Sequence, residues 1–161
     1  MNALCKLIER DSIIIKSVLL EEQYHFLKKE PAKESDIVEF ENKIMHKLPI
    51  AYKEFLLKSN GAIIFKSSLE DDGYKLLGIS DMLKVTNQLK ESGYDIHKDW
   101  FCFMQCMFSN DIMLMDLAKN CNYIIDGDVE YPINEWNYLN GDINTFFIHL
   151  IQSNGAMFWR W

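Results

Sequence analysis

Residues 36–61 read DIVEFENKIMHKLPIAYKEFLLKSNG, and the fold is decided there. Ile37, Phe40, Ile44 and Met45 recur on one face of a helix. That helix is expected to open at Asp36, with Glu39 three positions on forming a capping-box-like pair. Leu48-Pro49 breaks it, because proline disfavours helix at the residue before it and suits the first position of the next. The second helix carries Tyr52, Phe55 and Leu56 on one side and Lys53, Glu54 and Lys58 elsewhere. Asn60-Gly61 stops it, since only Gly and Asn take a left-handed C-terminal position cheaply.

Outward from this core, residues 2–22 read as a helix with a break near Asp11-Ser12, and Tyr24 to Leu27 as a short extended piece. Ala62 to Phe65 and Tyr74 to Leu77 have strand character, with the acidic loop Ser67 to Gly73 between them. Asp81 is expected to cap a helix running to Gly93, with Met82, Val85 and Leu89 inward. Trp100 to Met107 is apolar on both faces, the pattern of a buried strand. Ile112 to Met115 and Cys121 to Ile125 follow as strands, and Asp126-Gly127-Asp128 as a tight turn. Residues 131–140 read as a loop, and Ile143 to Ser153 as the closing helix. Helices first, then strands, then a helix predict an α+β fold, with helices flanking a mostly antiparallel sheet.

The ordered set Asp36-Ile37, Phe40-Glu41, Leu48-Pro49, Tyr52-Lys53, Phe55-Leu56 and Asn60-Gly61-Ala62 resembles the signature of the SUKH superfamily. Later landmarks extend the resemblance over about residues 20–161: Gly78 to Leu83, Leu114 to Asp116, and Phe146-Phe147 with Leu150-Ile151. Ile37, Glu41, Leu48, Pro49, Tyr52, Phe55, Leu56, Asn60 and Gly61 are the scaffold residues of that signature. The superfamily includes yeast cell-wall-assembly regulators and many bacterial immunity proteins. The resemblance implies a protein partner, namely the C-terminal domain of a cognate toxin, neutralised by occlusion without catalysis. The alternative is a regulatory or scaffold protein of the same fold that binds a host partner.

At 161 residues the chain fits one domain, 1–161, and its 48% hydrophobic content argues against disorder. The apolar run Ile13-Ile14-Ile15 and Val18-Leu19-Leu20 is interrupted by Lys16-Ser17 and is too short to span a membrane. No leader is read at the N-terminus, so the expected location is cytoplasmic. Cys5, Cys102, Cys106 and Cys121 form no C-x-x-C pair and read as reduced thiols.

Net charge is −7, and it is concentrated. Between residues 110 and 142, Asp111, Asp116, Asp126, Asp128, Glu130, Glu135 and Asp142 face Lys119 alone. Such a surplus repels nucleic acid and attracts basic protein surfaces. Asp111, Asp126, Asp128, Glu130 and Glu135 are therefore candidate contacts, with the interleaved aromatics Tyr131 and Trp136; Trp and Tyr are favoured at interface hot spots. Trp136 reads equally well as a plug at the core edge. Glu70, Asp71 and Asp72 form a second candidate contact. Monomer and homodimer both remain open.

Catalytic patterns are sparse. There is no phosphate loop, G-x-G-x-x-G, H-E-x-x-H or G-x-S-x-G. Cys102 or Cys106 with His97 is the sharpest pairing available, but an aromatic strand interior is the wrong place for a thiolate. Asp111, Asp126 and Asp128 supply oxygens for a hard cation, yet no twelve-residue calcium loop is present. His46 reads as a cation at a helix C-terminus and His149 as a core-edge residue. The reading requires no cofactor and no metal.

Overall fold

The computed structural model describes residues 2–16 and 21–160. Eight strands form one sheet in strict sequence order, β1 to β8, with every neighbouring pair antiparallel. They are β1 (Ser12–Lys16), β2 (Glu21–Lys28), β3 (Ala62–Ser67), β4 (Tyr74–Leu76), β5 (Trp100–Cys106), β6 (Ile112–Asp116), β7 (Ile124–Gly127) and β8 (Asn137–Leu139). The helices are α1 (Ala3–Ile8), α2 (Glu34–Ile44), α3 (Ile50–Leu56), α4 (Ile79–Glu91) and α5 (Ile143–Gln152). The fold is α+β as expected. Helices also sit between strands: α2 and α3 join β2 to β3, and α4 joins β4 to β5.

α1, α3 and α5 pack on one another, while α4 lies against β5 and α2. β6 and β7 are buried along their whole length, so this part of the sheet is covered on both faces. Phe103 on β5 meets Tyr52 of α3 and Phe146 and Phe147 of α5 edge to face, at centroid distances of 5.9, 5.9 and 6.4 Å. Such pairs add to the burial of their area.

The 36–61 stretch folds as two helices around three polar pins. Glu41 is 2% exposed. Its Oε1 accepts the Leu48 N–H at 2.9 Å, and Lys47 and Lys53 ammonium groups lie at 2.8 and 3.1 Å. One carboxylate thus closes the turn that Leu48-Pro49 opens. The buried Tyr52 hydroxyl lies 2.7 Å from the carbonyl of Leu77 and 3.1 Å from that of Phe103, tying α3 to the sheet. Asn60 Oδ1 accepts the Ile79 N–H at 2.9 Å and caps α4 from outside it. A side chain on Gly78 would strike Asn60 at 2.4 Å, which is why the chain has none there.

Several expectations are corrected. The 2–22 helix is only α1; beyond the break, Ile13 to Ile15 form β1, where a β-branched run fits a strand better than a helix. Val18, Leu19 and Leu20 lie outside the described residues. α2 opens at Glu34 with Lys33 at its N-cap, so Asp36 and Glu39 form no capping box. Met45 turns left-handed just past α2 and is exposed rather than inward. Pro49 stands one position before α3. α3 stops before Asn60-Gly61, and the left-handed Gly61 instead leads into β3. Asp81 does not cap α4 but pairs with Lys29 at 2.9 Å in its first turn. The strand placed at Cys121 to Ile125 is shifted to Ile124–Gly127, so Asp126 and Gly127 are strand, not turn. Gly127 is required by packing: a Cβ there would meet Ile112 Cγ1 at 2.6 Å. The supposed loop at 131–140 contains a 3-10 turn, Ile133–Glu135, and β8.

Glu41→Gln is expected to lower unfolding stability in urea by about 3 kcal/mol at pH 7, the usual effect of breaking a buried ion pair. Burial alone would raise the Glu41 carboxyl, but Lys47, the Leu48 N–H and Lys53 together hold it below the usual carboxylate range. Its contribution is therefore present above the unfolded-state pKa and lost as pH falls through the folded one. The wild type should lose this increment on acidification, and the Gln variant should not. Tyr52→Phe, read in the same assay, should cost about 1–3 kcal/mol by stranding the buried Leu77 carbonyl, while the Phe103 carbonyl keeps the Leu77 N–H.

Candidate functional site

In an antiparallel sheet ordered by sequence, successive connections leave at alternate ends. Lys16 pairs with Glu21, Tyr74 with Cys106, Ile112 with Gly127 and Asp126 with Asn137. The Lys16–Glu21 pair and the β3–β4, β5–β6 and β7–β8 connections therefore share one end. The helical connections and the β6–β7 connection occupy the other. Glu70, Asp71 and Asp72, in the 68–73 loop, come to the same end as Asp111, Asp128, Glu130, Tyr131, Glu135 and Trp136. The two candidate contact sets are one end of the sheet.

The side chains there fall into two groups. Glu70, Asp71, Glu130, Tyr131 and Glu135 are exposed, Tyr131 by 53%. Lys66 Nζ lies 2.7 Å from Asp71 Oδ1 and donates to the Glu70 carbonyl at 2.9 Å. Asp72 is half-buried and accepts the Ser67 N–H at 3.0 Å. Trp136 is buried: its indole N–H is 2.8 Å from the Asp128 carbonyl and 3.1 Å from that of Tyr131, and its ring lies 5.9 Å from Tyr94. Of its two readings, the core-edge plug is the one the geometry matches.

Asp111 and Asp126 are also buried, around a cation from the far end of the sequence. Arg160 holds Asp126 through both Nε and Nη2, at 3.2 and 2.9 Å, and its Nη1 reaches Asp111 and Asp128 at 3.1 Å each. Two parallel N–H···O bonds are the strongest geometry a guanidinium offers. Burial raises the Asp126 carboxyl above its usual range; Arg160 opposes this, and the charges of Asp111 and Asp128 add to it. Three carboxylates on one guanidinium leave a surplus of negative charge. The segment carrying Arg160 is anchored by Trp159, 5.3 Å from Phe146 and 6.1 Å from Tyr74, and by the Tyr74 hydroxyl, which donates to the Gly155 carbonyl at 2.7 Å.

Sequence reasoning passed over Arg160, Leu69 and Phe108. Arg160 had a signal: beyond residue 110 it and Lys119 are the only basic side chains apart from His149. Leu69 and Phe108 had none, Leu69 being a single apolar residue in a polar loop and Phe108 the last residue of an apolar run that reads as buried; they are 74% and 48% exposed at this end of the sheet. The other acids of the 110–142 segment are occupied. Asp116 accepts the Tyr138 hydroxyl at 2.7 Å, and Asp142 caps α5 through the Thr145 N–H at 2.8 Å.

The cysteine–histidine pairing does not form. Cys102 and Cys106 are buried, and burial raises both thiols, Cys106 to about 12. His97 lies 3.4 Å from Asp99 instead, and His46 lies 2.7 Å from the same carboxylate, an ion-pair geometry that the helix-end reading of His46 did not include. Among the described residues, no three His, Cys, Asp or Glu side chains are arranged to hold a metal. No helix among them is long and apolar enough to cross a membrane. A cleft of about 660 Å³ lies at the opposite end, between Leu48-Pro49, Lys119, Tyr123 and Asn144, and none of the candidate residues line it.

A family model described as the SMI1/KNR4 family (SUKH-1) matches residues 31–149, narrower at both ends than the 20–161 of the sequence resemblance. The chain is also 30% identical over 139 residues to the Bacillus subtilis (strain 168) protein YobM, described as uncharacterized; the match spans 79% of this chain and 69% of that one. Arg160, α1, β1 and β2 fall outside the family match, while the 68–73, 107–111 and 128–136 loops fall within it.

Arg160→Ala is expected to lower stability by about 3 kcal/mol at neutral pH by stranding buried carboxylates. A carboxyl whose folded pKa is raised contributes stability that is lost as pH rises through that value. The deficit should therefore shrink as pH falls and Asp126 takes up its proton. Chemical unfolding across a pH series reads this, and Asp126→Asn in the Ala background should remove part of the pH dependence.

Proposed function

Because the chain belongs to the SMI1/KNR4 family (SUKH-1), we propose that it is a binding protein of the immunity type, which neutralises a cognate bacterial toxin domain by covering it. The observation that carries this reading is the gathering of exposed acids and aromatics from three separate hairpins at one end of the sheet, away from the helical connections. Glu70, Asp71, Glu130, Tyr131 and Glu135 form the proposed contact surface, with the half-buried Asp128, also held by Arg160, at its edge. Asp111, Asp126 and Trp136 act from beneath it, the first two as part of the Arg160 clamp and Trp136 as the anchor of the 128–136 loop. The mechanism is steric and electrostatic: an acidic face meets a basic cleft, such as the active site of a nuclease, and excludes its substrate. Charge complementarity speeds the encounter and selects the partner.

Calorimetry against the toxin domain encoded beside this gene tests the proposal. Tight binding with loss of toxin activity is the expected result. Glu130→Lys with Glu135→Lys should slow association about tenfold at low salt and less at high salt, with little change in stability. No binding to a neighbouring toxin, with recovery of a host protein by pull-down, would instead favour a regulatory role for the same surface.

A further inference from the structure

A small pocket opens beside the 68–73 loop. Its volume is about 190 Å³, and it is walled by Tyr24, Phe65, Tyr74 and Phe108, with Asp72 at its rim and Gly155 behind. The volume is below the 300–1,000 Å³ of drug-sized ligand sites, and suits one long side chain. The rings brace each other edge to face: Phe108 against Tyr74 at 5.4 Å, Tyr24 against Phe65 at 6.4 Å. Phe108 keeps 48% of its surface open and Tyr74 almost none, so the outer wall is the free one.

The charges around the pocket are unbalanced. Lys66 is taken by Asp71 and the Glu70 carbonyl. Asp72 uses one oxygen on the Ser67 N–H and has no cation partner among the described residues. Glu22 accepts from Ser67 Oγ and from the Tyr24 hydroxyl at 2.7 Å, and likewise meets no cation among them. Tyr24 registers these charges. Burial first, then Glu22, Asp72 and Glu70, push its hydroxyl up to about 12. Aromatic walls beneath uncompensated carboxylates are the surroundings that a guanidinium on an apolar stem matches, through stacking, cation–π attraction and charge. A lysine ammonium is more strongly hydrated and cannot stack.

We propose that this pocket receives an arginine side chain of the protein partner, its guanidinium at Asp72 and its stem along Phe108. The inference deepens the partner-binding reading and rests on it for the source of the arginine. It places one anchor of the interface at the β3–β4 and β5–β6 hairpins.

The test needs no partner. The full chain is titrated with acetyl-Gly-Arg-Gly-amide and followed by amide NMR shifts. Saturable shifts are expected at Asp72, Gly73, Tyr74, Phe108 and Gly155. Asp72→Asn, which keeps the bond to Ser67, and Phe108→Ala should each weaken binding at least tenfold while amide dispersion stays native. Glu91→Gln, an exposed acid on α4, should change nothing. Equal binding of the citrulline peptide, equal binding of the lysine peptide, or shifts centred on Glu130 and Glu135 would each overturn the assignment. A toxin domain that fails to bind, beside an arginine peptide that does, would remove the proposed partner and leave the pocket. Undiminished toxin binding by both pocket variants would remove the pocket as the anchor and leave the partner.

Discussion

Glu41 is the constraint from which the rest of the architecture follows. A carboxylate at 2% exposure is stable only when its oxygens are matched, and here a backbone N–H and two ammonium groups match them. That requirement closes the Leu48-Pro49 turn, and the turn sets α3 at its angle to α2. α3 in turn delivers the Tyr52 hydroxyl to the carbonyls of Leu77, just past β4, and Phe103, on the neighbouring β5. Asn60 completes the frame by capping α4 through Ile79. The family-motif residues are thus polar fasteners and the apolar groups they lock, which is why they identify a fold without naming an activity.

The frame and the candidate surface occupy opposite ends of one sheet. Strand alternation does this without any special device: odd connections turn at one end, even connections at the other. The even ones include the α2–α3 and α4 insertions, and the described odd ones, β3–β4, β5–β6 and β7–β8, are hairpin loops. Substitution in those loops leaves the fasteners untouched; Arg160 differs from the exposed loop residues in that its clamp reaches from the surface to the buried ends of β6 and β7.

Much of the frame was legible in the sequence. Helical spacing located Ile37, Phe40 and Ile44, and the two-faced apolar run Trp100 to Met107 located β5. What misled were residues whose local preference lost to tertiary context. Ile13 to Ile15 lack the alternation of a half-buried strand and read as helix until β2 is there to pair with them. Gly127 between two aspartates has turn chemistry, but its lack of a side chain serves Ile112. At the candidate site, the acidic surplus was readable as charge. Its division into buried and exposed carboxylates was not, because that depends on Arg160, a residue 34 positions beyond Asp126. Leu69 and Phe108 were beyond reach for the same reason: whether an apolar side chain ends up exposed is a property of the assembled surface.

The sequence-ordered sheet also bears on how the chain reaches its native state. Loop closure costs entropy that grows with loop length, and non-local strand pairing is correspondingly slow. Here each strand pairs with its immediate predecessor, and β5 to β8 join through short connections. Only the β2–β3 and β4–β5 pairings must bring together strands separated by helices, and those intervening segments are the ones stiffened by Glu41, Asn60 and α4 itself. By loop length alone, those two helix-spanning pairings are the ones expected to form last.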